Sequence, residues 1–114
     1  SQGRLRPDIV LGDRYGASCA SEISDAAAHI LSRLGYSISR NKPYAGGYIT
    51  EHYGKPGTGI HAMQIEVNRS LYMDERTLQP TEGFSRVKTD LGFFIAELAA
   101  LFDDRLFAPA DAAE

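Results

Sequence analysis

The run Gly59-Ile60-His61-Ala62-Met63-Gln64-Ile65-Glu66-Val67-Asn68-Arg69 places the tightest limit on how this chain can fold. Successive side chains of a β-strand point to opposite faces, so Met63, Ile65 and Val67 share one face, with His61 at its start. Gln64, Glu66 and Asn68 share the other. The apolar face packs into a core, whereas a mid-strand face of amide, carboxylate and amide is costly to bury without polar partners. A strand of this kind lies on the floor of a site, with Glu66 as the group to explain and the Arg69 guanidinium at its far end.

The rest of the chain alternates strand and helix signals. Asp8-Ile9-Val10-Leu11 follows Pro7 and stops at Gly12-Asp13, which predicts a buried strand leading into a polar, glycine-punctuated loop that ends near Ser18. Ile23, Ala27, Ile30, Leu31 and Leu34 recur at helical spacing and predict a helix over 21–34. Ser21 is its expected N-cap, Asp25 lies near its first turn, and Gly35 is its C′ glycine. Strict alternation over 36–40 predicts a second strand, followed by a loop over 41–47. A short helix is expected over 47–53, closed by Gly54 and the Pro56-Gly57 break. Residues 70–83 show no regular pattern, with Pro80 as a stop. A long helix is expected over 83–102, with Phe84, Val87, Leu91, Phe94, Ile95, Leu98 and Leu101 on one side. Gly92 within it costs about 1 kcal/mol relative to alanine. The tail 108–114 is expected to be loose.

This order predicts an α/β layer with crossover connections. The faces of a parallel sheet need cover, and two good helices barely supply it. The expected fold class is therefore α/β, a partial mixed sheet flanked by helices, forming one domain over 1–114 that belongs to a larger sheet.

Composition narrows the function classes. With 114 residues, a net charge of -3 and scattered Lys and Arg, the chain lacks the basic stripe of a nucleic-acid binder. No apolar run approaches the roughly 20 residues that span a bilayer, and no signal-like start is present. The single cysteine, Cys19, cannot form an intramolecular disulfide and suits a reducing compartment, with cytoplasm the default. Ser1-Gln2-Gly3 lacks an initiator Met, which suggests a processed or truncated start, a tag scar being the alternative.

Each candidate side chain carries two readings. Glu66 either pairs with a nearby arginine or, held in a partly apolar cleft, takes a proton from water and returns it to a leaving amine. Arg69 and Arg14 are either surface ion-pair partners or holders of a substrate carboxylate. Both follow strand ends, where α/β sheets bind ligands. His61 reads as a structural histidine, and His29 and His52 as surface residues. Metal-ligand spacings such as His-Glu-x-x-His or Cys-x-x-Cys are absent. Cys19 precedes a helix N-terminus that would lower its pKa, but no motif ties a histidine to it, so the nucleophile reading is the weaker one.

Three segments in order (residues 6–16, 41–49 and 59–73) resemble the N-formylglutamate amidohydrolase, or formylglutamate deformylase, family. They read RPDIVLGDRYG, NKPYAGGYI and GIHAMQIEVNRSLYM. The resemblance covers most of the chain but only the C-terminal part of the family's usual length. It implies a fold similar to zinc carboxypeptidases and aspartoacylases, a phosphorylase/hydrolase-like α/β arrangement. It also implies hydrolysis of an N-acyl amino acid to formate and glutamate in histidine breakdown. In that chemistry zinc polarises the amide and activates water while a glutamate shuttles the proton. By motif position Glu66 looks like that glutamate, and Arg69, Arg14, Asn41 and Tyr44 fall in motifs that would hold the substrate's carboxylates. The family's zinc ligands lie in N-terminal motifs upstream of this sequence, so no metal ligands are evident. The chain alone is expected to be a poor catalyst, completed by an N-terminal segment or by self-association. The competing expectations are a non-catalytic dicarboxylate-binding module and a structural fragment that assembles with a partner chain.

Overall fold

A computed structural model describes residues 6–103. The expectations for the first residues and for the tail 108–114 lie outside the described residues.

Strand β1 (Ile9–Gly12) is buried along its whole length and forms the centre of a three-stranded sheet. Strand β2 (Ile38–Arg40) pairs with it in parallel, Ile9 opposite Ile38 and Leu11 opposite Arg40. Strand β3 (Gln64–Val67) pairs antiparallel on the other side, Ile9 opposite Val67 and Gly12 opposite Gln64. Residues directly opposite one another share a face. Ile9, Leu11, Ile38, Ile65 and Val67 therefore form one face, and Val10, Ser39, Gln64 and Glu66 the other.

The apolar face is the core. Helix α1 (Ser21–Arg33) brings Ala27 and Leu31 against it, and helix α3 (Gly83–Leu101) brings Phe94. Ile9, Leu11, Leu31 and Phe94 are buried almost completely. Each such side chain contributes on the order of 1.5–3 kcal/mol relative to exposure. The two helices touch each other above the sheet, and α3 is tied to the chain just before β2 by the Tyr36 hydroxyl, which donates to Asp90 Oδ2 at 2.5 Å. Burial, this bond and the Asp90 charge push the Tyr36 phenol up to about 12.

Several expectations are corrected here. The sheet is mixed, as expected, but the crossover pattern expected throughout holds only for the β1–β2 unit, because the connection into β3 returns it antiparallel. The strand expected over the whole 59–69 run is confined to Gln64–Val67, because Gly59, at φ +85°, closes the 3-10 turn of Pro56–Thr58 and Ile60 bridges back to Lys55. Asn68 leaves the strand face, and its Oδ1 accepts from Ser70 N at 3.0 Å, capping a 3-10 turn at Arg69–Leu71. The segment 70–83 does hold regular structure, a small hairpin of β4 (Met73–Asp74) and β5 (Gln79–Pro80). Ser21 lies inside α1 rather than capping it; Ala20 flanks the helix without a side-chain cap. Asp25 pairs with Arg40, and Glu22 is the first-turn acid. The expected side of α3 is split, with Val87 and Phe94 buried but Ile95 63% exposed. Helix α2 (Tyr48–Tyr53) and the C′ position of Gly35, at φ +102°, are as expected.

Candidate active site

The site grows out of the polar face of β3. Backbone alternation turns Gln64 and Glu66 to the side of the sheet opposite α1 and α3. Gln64 Oε1 accepts from Gly47 N at 3.1 Å. That bond fixes the amide so that its Nε2 donates to Glu66 Oε2 at 2.7 Å. Glu66 therefore has one oxygen anchored, while Oε1 has no hydrogen-bond partner among the described residues. The carboxylate is exposed and lines an open cleft of about 750 Å³, a size usual for small-molecule sites. The cleft lining includes Val10 and Glu66 from the polar sheet face, together with Tyr44, Asn68, Arg69 and Tyr72.

The loop that supplies Gly47 is itself held by a clasp between Asn41 and the Asp13 loop. Asn41, at φ +66°, accepts through Oδ1 from Asp13 N at 3.0 Å and Tyr15 N at 3.3 Å. Its Nδ2 donates to Asp13 Oδ1 at 3.0 Å. Asp13 also accepts from Ser24 Oγ at 2.7 Å and Gly16 N at 3.1 Å. Burial alone would raise this carboxyl, but the bonds from Ser24, Asn41 and Gly16, with the Arg40 charge, hold it below the usual carboxylate range. Gly12 is required where this loop crosses β1: a Cβ there would lie 2.7 Å from the Ala45 carbonyl carbon.

The five residues marked in the sequence are not gathered in one place. Glu66, Arg69 and Tyr44 line the cleft. Arg14 and Asn41 do not. Arg14 follows β1 and Arg69 follows β3, and because these strands are antiparallel their ends point opposite ways. The two arginines thus sit at opposite ends of the strand pair, separated by about 10 Å of sheet. Arg14 packs beside Gly46 and faces Glu51 at 3.6 Å. Asn41 spends its amide on the Asp13 clasp.

His61 is structural in the way expected: its Nδ1 accepts from Ala20 N at 3.0 Å, at the mouth of α1. His52 stacks on Tyr48 with ring centroids 5.1 Å apart. Cys19 follows the favoured, non-nucleophilic reading, but the expected lowering of its pKa by the helix N-terminus is not what the structure gives. It is 1% exposed, and burial pushes its thiol up rather than down. Among the described residues no three His, Cys, Asp or Glu side chains come together as a metal site. Sequence reasoning also passed over Gln64 as the group that orients Glu66, although its i−2 position on the same face was the available signal. It gave no role to Arg6, which opens the first of the three segments, or to Glu75; both meet the cleft through tertiary contact.

Residues 1–73 match the family model described as N-formylglutamate amidohydrolase. The chain belongs to this family. An N-formylglutamate deformylase of Pseudomonas aeruginosa is 41% identical over 75 residues, which are 65% of this chain and 28% of that protein. The Pseudomonas putida protein of the same name is 42% identical over 74 residues, covering 64% and 27%. The crystal structure of N-formylglutamate amidohydrolase from Ralstonia eutropha JMP134 superposes with a TM-score of 0.82 at 35% identity, over 89% of this chain and 36% of that one. The chain thus spans just over a quarter of the length of the deformylases it matches. The amidohydrolase match takes in the loop of Asn41 to Gly47 and the whole of β3, so the Gly47–Gln64–Glu66 relay lies within it. The mixed α/β fold is shared with the family structure, and no helix among the described residues is long and apolar enough to cross a membrane.

Proposed function

We propose that this chain supplies the proton-shuttling carboxylate and part of the substrate cleft of an N-formylglutamate amidohydrolase. The reaction is hydrolysis of the formyl amide to formate and glutamate. The observation that carries this reading is the relay from Gly47 N through Gln64 to Glu66, which anchors one carboxylate oxygen and leaves the other open to the cleft. In this reading Glu66 takes a proton from the water that attacks the formyl carbon. As the C–N bond breaks, the same carboxyl returns that proton to the departing nitrogen. Positioned acid–base catalysis of this kind contributes about 10²–10⁴-fold. Gln64 is the positioning residue, and Arg69 and Tyr44 contact the substrate.

The described residues do not themselves build the zinc cage that the family resemblance implies. Zinc belongs to this proposal as a group held by residues outside them. The same proposal includes a zinc-carboxypeptidase or aspartoacylase-like whole fold, of which 1–114 would be the C-terminal portion. It also includes a place in histidine breakdown in the cytoplasm, in keeping with the lone cysteine.

The test is formate release from N-formylglutamate by the zinc-loaded assembly that joins this chain to the residues holding the metal, beside calorimetric binding of the same compound. Release above a zinc-only blank is expected, falling at least about 10²-fold in Glu66→Gln while binding is kept. Binding without release in the unsubstituted protein would instead make this a dicarboxylate-binding module.

A further inference from the structure

The loop after β1 holds a conformation that its residues do not favour. Arg14, Tyr15 and Gly16 lie in succession in the left-handed region, at φ +53°, +56° and +89°. Two consecutive non-glycine residues there are strained, because each Cβ crowds the carbonyl that follows it. The turn is closed by the Asp13 carbonyl, which accepts from Gly16 N at 3.2 Å and from Ser18 N at 3.0 Å. The Asn41 amide oxygen holds it from outside, at Tyr15 N. Strain of this kind persists only where neighbouring contacts over-determine it.

The strained turn delivers Arg14 to the segment 45–51. Arg14 N donates to Ala45 O at 2.8 Å. Its side chain lies along the next residue, since a Cβ placed on Gly46 would stand 3.3 Å from Arg14 Cγ. The guanidinium ends beside Glu51 of α2, Nη2 to Oε2 at 3.6 Å. Glu51 is largely exposed, so the ion pair itself is weak, and the packing of the stem against Gly46 is the firmer restraint. Between Gly46 and Glu51 stands Gly47, whose N–H fixes Gln64 and through it Glu66. One side chain thus grips both ends of the turn that starts the relay.

We infer that Arg14 is a positioning residue, which acts on Glu66 through the Gly46–Gly47 turn and does not hold a substrate carboxylate. It lies outside the lining of the cleft that contains Glu66 and Arg69, and its guanidinium is directed at Glu51. The inference rests on the amidohydrolase reading for the reaction that Arg14 serves; the grip on the turn stands on its own geometry.

Arg14→Gly keeps the left-handed backbone and its bond to Ala45 while removing the stem and the charge. Two quantities are read in the zinc-loaded assembly: steady-state formate release from N-formylglutamate, and hydrogen exchange at the Gly47 amide, followed by NMR through isotope-labelled glycine. The kcat should fall about tenfold with KM kept within about twofold, since a small displacement of a catalytic group costs that much or more. Exchange at Gly47 should quicken several-fold. The urea midpoint should stay near the parent's, because relief of left-handed strain offsets the freedom that glycine adds to the unfolded chain. Arg14→Lys retains a stem and a charge and should recover most of the lost rate, which a bidentate carboxylate ligand would not allow. Glu51→Gln should leave KM unchanged, whereas a ligand arginine released from its counter-ion would bind substrate more tightly. A raised KM in Arg14→Gly with kcat and Gly47 exchange unchanged overturns the inference. So does an Arg14→Gly variant that matches the parent in both rate and exchange. If the parent assembly releases no formate, the amidohydrolase reading fails, and Gly47 exchange still decides whether Arg14 holds the turn.

Discussion

Asp13 is 5% exposed yet remains a carboxylate held below its usual range, because Ser24, Asn41 and Gly16 all donate to it. Its role is architectural: it binds the loop after β1, the start of α1 and the turn after β2 at one point. That point lies directly behind the loop that carries Gly47. Asp13→Ala should therefore destabilise the fold by about 1–3 kcal/mol at neutral pH, the usual result of leaving buried donors unmatched. The pH dependence has a definite sign. A carboxyl whose folded value is depressed contributes stability that is present above its unfolded value, near 3.8, and lost as pH falls through the folded value. Urea unfolding at neutral pH and again in acid well below 3.8 should show a wide gap between parent and variant in the first case and a narrower one in the second. A gap that does not shrink in acid would mean that the Asp13 charge contributes nothing. The same arrangement explains why Asn41, which looks like a ligand-binding residue in its motif, was hard to read. Its amide is consumed by a partner 28 residues earlier, and no local pattern announces a contact at that separation.

At the scale of elements, the periodicities were legible wherever local chemistry decided the outcome. The helix expected over 21–34 spans Ser21–Arg33, and the long helix expected over 83–102 spans Gly83–Leu101. The division of β3 into an apolar and a polar face also followed from alternation alone. Strand direction did not, because whether β3 runs with or against β1 depends on how the chain between 41 and 63 folds back. The β4–β5 hairpin was equally hidden. Its strands are two residues each, and its turn puts Leu78 at φ +62°, a conformation that few would assign to leucine from sequence. The element that couples scaffold to site is the turn before α2. Gly46 sits there at φ +127°, and a Cβ on it would collide with Thr50 Oγ1. Gly46→Ala should move this turn and withdraw Gly47 N from Gln64, freeing the Glu66 side chain. The expected result is a loss of a few kcal/mol or less in stability, consistent with left-handed strain, together with a larger fall in formate release than in substrate binding. Equal losses in both would place the damage in the cleft walls rather than in the relay.

On the scale of the whole molecule, one sheet face is spent on the core and the other on the cleft, so the layer formed by α1 and α3 must hold the fold from a single side. The apolar content of α3 exceeds what that layer uses. Phe94 is 1% exposed and touches the core of Ile9, Leu11, Ala27 and Leu31, whereas its neighbour Phe93 is 51% exposed. Helical spacing put Phe94, and not Phe93, on the packing side of α3, and the structure bears that ranking out. The ranking has a sharp consequence. Removing a buried aromatic ring costs about 3–5 kcal/mol, a large part of the 5–15 kcal/mol that usually holds a domain together. Phe94→Ala should therefore lose cooperative unfolding or shift its urea midpoint steeply downward. Phe93→Ala, one residue away and with the same change in composition, should stay within about 0.5 kcal/mol of the parent. If Phe93→Ala proved the costlier of the two, α3 would have to be rotated by roughly 100° about its axis. Val87 would then leave the core along with Phe94.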